Sequence, residues 1–179
     1  MQEESSHPVH HPEIAESGPC GRALLATAKW LAFAGGLIFT GLVVMSIISI
    51  VGRKLFSAPV PGDVEVLQMF AAFASASFFA YCHLMHGEVK VDFFTANLAA
   101  PKRRFLDAVG SLLVGLVGTL LAWRTWVGAL SLREGGESSA ILEIPVWIAQ
   151  ALMVPSFILL ALAGFYMCVQ TWTQRGVRS

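Results

Sequence analysis

The charged residues with the clearest arrangement flank a short link between two long apolar segments. Arg53 and Lys54 follow the first segment, and Asp63 and Glu65 open the second. Cations are favoured at the negative end of a helix dipole, and carboxylates are favoured at its positive end. Because the link is short, it should bring the two ends together. The sequence therefore predicts that Arg53 and Glu65 pair, directly or through water, the alternative being that each charge satisfies only its own helix end.

The link itself contains residues that restrict the backbone. Pro59 and Pro61 fix φ and donate no N–H, whereas Gly62 can turn freely. Asp63 is then expected to be the N-cap of the second helix, with Glu65 in its first turn. The pattern predicts a tight helical hairpin at a membrane surface.

Histidine is a common ligand of haem and of metal ions. His7, His10 and His11 cluster in a polar N-terminal stretch, and His83 and His86 end the second apolar segment. A His-rich tract can bind metal, but a flexible tail and an interfacial pair are the simpler interpretations. No histidine lies inside an apolar segment away from its ends, which argues against a haem-linking bundle.

Arg124 stands near the end of the third apolar segment, between Trp123 and Trp126. A charged residue within a membrane span is by default a candidate functional residue, because burying a charge in lipid is costly. Tryptophan also marks the membrane interface, and we expect Arg124 to lie within about two helical turns of the segment's end. A snorkelling arginine is therefore the favoured interpretation, with an intramembrane functional charge as the alternative.

The chain carries none of the common catalytic signatures. The patterns G-x-S-x-G and H-E-x-x-H, a Walker loop and a dinucleotide fingerprint are all absent. Cys20, Cys82 and Cys168 are far apart and form no C-x-x-C pair, so no disulfide framework or thiol oxidant is indicated. We therefore expect a protein that is not an enzyme and has no catalytic, metal or cofactor-binding residues.

The composition points to a membrane protein. Of 179 residues, 55% are hydrophobic and 13% are charged, and the mean hydropathy is +0.65. Ordinary soluble domains are less apolar and more charged. The net charge is zero, so the composition gives no sign of nucleic-acid binding. Four segments contain the roughly 20 apolar residues that a bilayer crossing needs. They predict an all-α integral membrane protein with transmembrane helices over about 30–51, 64–82, 105–130 and 145–172.

The distribution of basic residues predicts the orientation. With the N-terminus in the cytoplasm, eight Lys and Arg residues fall on the inner side and three on the outer side, as the positive-inside rule requires. Both termini are then cytoplasmic. The expected organisation is a flexible polar tail over 1–28, a transmembrane domain over 29–173 and a short tail over 174–179, with Ala23–Ala28 already helical.

Small residues line one side of two spans at helical spacing, an arrangement that lets helices approach closely in lipid. The second span carries Glu65, Gln68, Ala72, Ala76, Phe79, His83 and His86 on one side. The third span carries Ser111, Gly115, Gly118 and Ala122. We expect these faces to pack against a larger partner subunit, because the chain shows no internal site for them to enclose.

Two motifs resemble those of a known family. R-x-x-F-x-x-P-V-P-G-D-x-E, from Arg53 to Glu65, and GEVKVDFF, from Gly87 to Phe94, are similar to signatures of the small, four-helix (DctQ type) permease subunit of tripartite ATP-independent periplasmic (TRAP) transporters. The second signature usually has histidine where this chain has Glu88. The resemblance covers about Trp30 to Trp172, and the residues it marks as motif and partner interface are Arg53, Pro61, Gly62, Glu65, Gly87, Val91 and Asp92.

The resemblance implies a function and a set of partners. Such transporters use a sodium gradient to take up an organic acid that a periplasmic binding protein delivers. The large multi-span permease subunit would hold the substrate and sodium sites, so this chain would need no cofactor. The small subunit would brace the large one and help to dock the binding protein, in the bacterial inner membrane among its lipids. The alternatives are a four-helix redox subunit with haem or quinone, or a structural subunit of another membrane complex.

Overall fold

The computed structural model describes residues 18–57, 60–85 and 100–173. Within these ranges the chain forms four helices, each long and apolar enough to cross a membrane: α1 Gly18–Phe56, α2 Asp63–Leu84, α3 Ala100–Gly135 and α4 Val146–Thr173. The described residues contain no β-strand, only one isolated bridge in the loop before α4. The predicted all-α class with four membrane-spanning helices is confirmed.

Two helices are much longer than the hydrocarbon layer is thick. At 1.5 Å per residue, the 39 residues of α1 and the 36 residues of α3 span roughly 58 and 54 Å, against roughly 30 Å of hydrocarbon. They must tilt or project into the headgroup region. Because α1 begins at Gly18, the last third of the predicted polar tail is helical. Residues 1–17 and 174–179 lie outside the described residues.

The helices pack in the lateral order α1, α2, α4, α3. The most extensive contact joins α3 to α4, and α2 packs against both α1 and α4. α1 and α3 therefore lie on opposite sides of the central pair and leave broad apolar faces exposed. The main buried cluster consists of Ala28, Ala76, Ala80, Leu84, Phe157, Leu160, Ala163 and Met167.

The small-residue side of α3 is used inside the chain, which corrects the expectation that it faces a partner. Gly115 lies against Gly164 of α4. A Cβ added to Gly164 would come within 2.4 Å of the Gly115 amide nitrogen and 2.8 Å of the Ser111 carbonyl oxygen. Gly118 meets the Ala161 backbone one turn further along. Two backbones can approach this closely only where the facing residues are glycine or similarly small.

The small-residue side of α2 is internal only in part. Ala76 and Ala80 are buried in the main cluster. Ser77 packs against Gly35 of α1, and a Cβ added to Gly35 would lie 3.1 Å from the Ala74 carbonyl oxygen. Phe79, expected on the same side, is half exposed. Gln68 and Ala72 on that side are also exposed, so internal contacts account for only part of it.

Candidate functional site

The turn before α2 brings four of the predicted motif residues together at one end of the bundle. Pro61 and Gly62 form the turn, and Gly62 adopts the left-handed conformation with φ 73° as the N-cap residue. An added Cβ on Gly62 would lie 2.6 Å from Cγ of Leu142, in the loop between α3 and α4. This position therefore needs glycine both for its φ and for the packing above it.

Asp63 is the first residue of α2 and not its N-cap, which corrects the sequence prediction. The N-cap Gly62 offers no side-chain cap. The Asp63 carboxylate instead accepts hydrogen bonds from Ser49 Oγ at 2.5 Å and from the Val64 amide at 2.8 Å. It lies near the positive end of the helix dipole, where a carboxylate is favoured.

The predicted pair between Arg53 and Glu65 is wrong. Arg53 Nη2 lies 3.7 Å from Asp63 Oδ2, and the arginine side chain is 63% exposed. At this distance and exposure the pair adds little to stability, because water screens it and the long side chain loses entropy. The two helix ends do meet, but they meet through Asp63.

The loop between α3 and α4 is an ordered turn. α3 ends in a Schellman motif, in which the Gly136 amide donates to the Arg133 carbonyl and the Glu137 amide donates to the Leu132 carbonyl, both at 3.3 Å. The Ser139 amide then donates to the Ile144 carbonyl at 2.9 Å and closes a small hairpin. This loop is acidic and mostly exposed, and its own hydrogen bonds fix its backbone.

Glu65 is held by this loop. The Ser139 hydroxyl donates to Glu65 Oε2, the Ile141 amide donates to Oε1 at 2.9 Å, and the Leu142 amide donates to Oε2 at 3.2 Å. We call these four residues the Glu65 clasp, and the end of the bundle that contains them the clasp end. Successive amide groups of a turn make a concave site for an anion, and here the anion is a carboxylate of the same chain.

The clasp joins two parts of the chain that are 74 to 77 residues apart. Hydrogen bonds to an ionised carboxylate are shorter and stronger than neutral ones, so the clasp fixes the start of α2 against the α3–α4 loop. A cation–π contact supports the same loop, with Arg133 5.4 Å above the Trp147 ring. The sequence reasoning missed Ser139, Ile141 and Leu142, because nothing in the local pattern marks backbone amides as donors to a distant residue.

The histidine hypothesis has limited support in the described residues. His83 is buried at the end of α2. Among residues 18–57, 60–85 and 100–173, no group of three His, Cys, Asp or Glu residues is placed to hold a metal ion. The second motif residues Gly87, Val91 and Asp92, together with His86 and Glu88, lie outside the described residues.

Arg124 is exposed on the outer side of α3, away from the bundle core, and Trp123 and Trp126 are exposed beside it. It lies eleven residues before Gly135, the last residue of α3, which is roughly 16 Å along the helix axis. It is therefore about three turns from the end of α3, but the helix continues past residue 130, where the apolar segment was expected to end. The position of Arg124 within two turns of the segment's end stays a prediction.

Arg124 should tolerate a change that keeps its positive charge. If Arg124 only snorkels, Arg124→Lys should preserve both complex assembly and uptake, and Arg124→Gln should reduce them by less than about twofold. The check is uptake into cells at matched protein levels. Loss of uptake in both variants, with assembly intact, would instead assign Arg124 a functional contact.

The comparison with known families agrees with the motifs. A family model described as "Tripartite ATP-independent periplasmic transporters, DctQ component" matches residues 42–174. The matched region contains the Glu65 clasp, all of α2, α3 and α4, and the last part of α1. No curated protein and no solved structure matches the chain. Because the match covers most of its length, the chain belongs to the DctQ family of TRAP transporter components.

Proposed function

We propose that this chain is the small membrane subunit of a sodium-coupled transporter that takes up an organic acid delivered by a periplasmic binding protein. The family match over residues 42–174 carries the proposal, because that family is a transporter component and not an enzyme family. In this assignment the chain braces a large permease subunit, which holds the substrate and sodium sites. The chain itself carries no cofactor.

The composition of the described core supports this division of labour. Its buried polar side chains are Ser49, Ser77, His83, Ser139 and Ser156. A site for an organic anion needs a cation or converging donors, and a sodium site needs several oxygen ligands. Among the described residues, no buried Lys, Arg, Asp or Glu lies in the core to serve either ion. Substrate and sodium therefore belong to the partner in this proposal.

The outer faces of α1 and α3 are the candidate surfaces for the large subunit and for lipid. Large side chains project from both, including Trp30 and Leu37 on α1 and Leu113 and Trp123 on α3, each more than half exposed. The small-residue face of α3 does not serve this purpose, because it packs against α4 inside the chain. We assign the binding protein to the clasp end, whose fixed loop offers a preformed surface.

Co-purification tests the proposed partnership. An affinity-tagged copy of this chain, expressed with the large subunit, should retain that subunit in equal amount through detergent extraction and size exclusion. A second tagged four-helix membrane protein should not retain it. Elution of the two chains as separate species in several mild detergents would contradict the scaffold assignment.

The proposed orientation places both termini in the cytoplasm and the clasp end in the periplasm. It rests on the excess of basic residues on one side, eight against three. In a background without native cysteines, Ser57→Cys and Ser138→Cys should react with an impermeant thiol reagent in intact cells. Ser5→Cys should react only after lysis, and its labelling in intact cells would reverse the orientation.

A further inference from the structure

A cavity of about 460 Å³ lies directly beneath the Glu65 clasp, between α2, α3 and α4, and is partly open to the outside. Glu65 and Ser139 border its clasp end. Ala72 borders it two helical turns further along α2, roughly 10 Å from Glu65 along the axis. Met153 of α4 lies at a matching depth. The volume is within the range of small-molecule sites in proteins, about 300–1,000 Å³.

The cavity changes in character along its length. Glu65 at the clasp end is the one charged residue among the described residues that line it, and the Gln68 and Gln150 amides follow about one turn deeper. Gln150 reaches across to α3, where an added Cβ on Gly128 would lie 2.4 Å from its Nε2. Met69, next to the two amides, begins the apolar wall.

This polarity decides which ligand class fits. An organic anion would meet the Glu65 carboxylate with no cation among the lining residues to balance it, so the cavity is unsuited to such a substrate. A purely apolar ligand would leave the amides and the carboxylate without new partners. An amphiphile fits, with a cationic, hydrogen-bond-donating head at the clasp end and a hydrocarbon chain further in.

We propose that this cavity binds a phospholipid whose head group carries a primary ammonium. The ammonium donates to Glu65 and to the amide oxygens of Gln68 and Gln150, and the phosphate stays at the open side of the cavity, outside the part that lacks a cation. The first part of one acyl chain packs along Met69 and Met153. The surrounding solvent of a spanning helix is lipid, so the ligand is supplied by the membrane itself. The bound lipid fills the space between α2, α3 and α4.

Lipid retention by the intact chain tests the head-group requirement directly. The purified full-length chain is reconstituted in vesicles of equal parts phosphatidylethanolamine, phosphatidylcholine and phosphatidylglycerol, extracted in mild detergent and analysed by native mass spectrometry. The ethanolamine lipid should be retained about tenfold over the choline lipid, which has the same net charge but no N–H donor. Equal retention of the two, or preferential retention of the glycerol lipid, would overturn the proposal.

Variants that fill the cavity test its location. Ala72→Leu and Ala149→Leu each place a larger side chain in the cavity and should reduce ethanolamine-lipid retention about tenfold. Ala34→Leu makes the same change on the exposed side of α1 and should have no effect. Unchanged amide exchange at Ile141 and Leu142 shows that a filled variant is folded.

Two results would contradict the location. Full lipid retention in both filled variants would place the lipid elsewhere. If a filled variant retains the lipid normally but no longer co-purifies with the large subunit, the cavity is a contact site for that subunit. The proposal needs only that the chain spans a membrane, and its test does not use uptake, so it can fail while the proposed function stands.

Discussion

Gly164→Val should be the most damaging single substitution in the membrane-spanning part of the chain. The added side chain would start 2.4 Å from the Gly115 amide nitrogen and 2.6 Å from its Cα. Both are backbone atoms of α3 and cannot rotate away, so α3 and α4 must separate along their whole contact. Overpacking of this kind costs about 1–3 kcal/mol, and we expect the upper end. The apparent Tm in detergent should fall by about 5–10 °C.

The matched control for Gly164 is a glycine with open space around it. Gly110 of α3 has no atom within 4 Å of an added Cβ outside its own helix backbone. Gly110→Val should therefore leave the apparent Tm within about 2 °C of the unmodified chain, because β-branched residues and glycine are both modest helix formers. Equal losses in the two variants would mean that helix propensity, and not the close contact of α3 with α4, sets the stability.

Glu65→Gln should release the α3–α4 loop although the two side chains have nearly the same shape. The new amide group is a donor, and it would face the Ile141 amide, the Leu142 amide or the Ser139 hydroxyl, all of which donate to Glu65. Two donors that face each other cannot form a hydrogen bond, so both groups are left without an acceptor. Amide hydrogen exchange at Ile141 and Leu142 should rise at least about tenfold, and uptake should fall by a similar factor.

Glu134→Gln is the control for the change of charge, because Glu134 is an exposed glutamate in the last turn of α3. It should leave the exchange of Ile141 and Leu142 unchanged. Because Arg53 contacts Asp63 and not Glu65, exchanging the charges of Arg53 and Glu65 should not restore uptake. Recovery in that double variant, or unchanged exchange in Glu65→Gln, would contradict the clasp.

The architecture could be predicted from the sequence because lipid constrains it so strongly. A bilayer admits a spanning chain only as a helix or a closed barrel, and four apolar segments of sufficient length leave one solution. The same logic located the turn at Pro61 and Gly62, since these residues break a helix. The helix ends were less predictable. α1 continues back to Gly18, and Leu24, Leu25 and Ala28 of this extension pack in the main cluster.

The partners of individual side chains could not be predicted, because they depend on tertiary geometry. Arg53 and Glu65 are close in sequence and opposite in charge, yet Glu65 is bound by a loop more than 70 residues away. Its donors are mainly backbone amides, which carry no sequence signal. The small-residue stripe on α3 was correctly identified as a contact face. Its periodicity could not show whether the helix that it contacts belongs to this chain or to a partner subunit.

Uptake by reconstituted vesicles tests the central claim, that this chain supports a transporter without carrying the substrate itself. Vesicles with a sodium gradient and the binding protein outside would contain the large subunit, this chain, or both. We expect substrate accumulation only with both chains, and its loss when the sodium gradient is removed. Full accumulation by the large subunit alone, or any sodium-driven accumulation by this chain alone, would contradict the account.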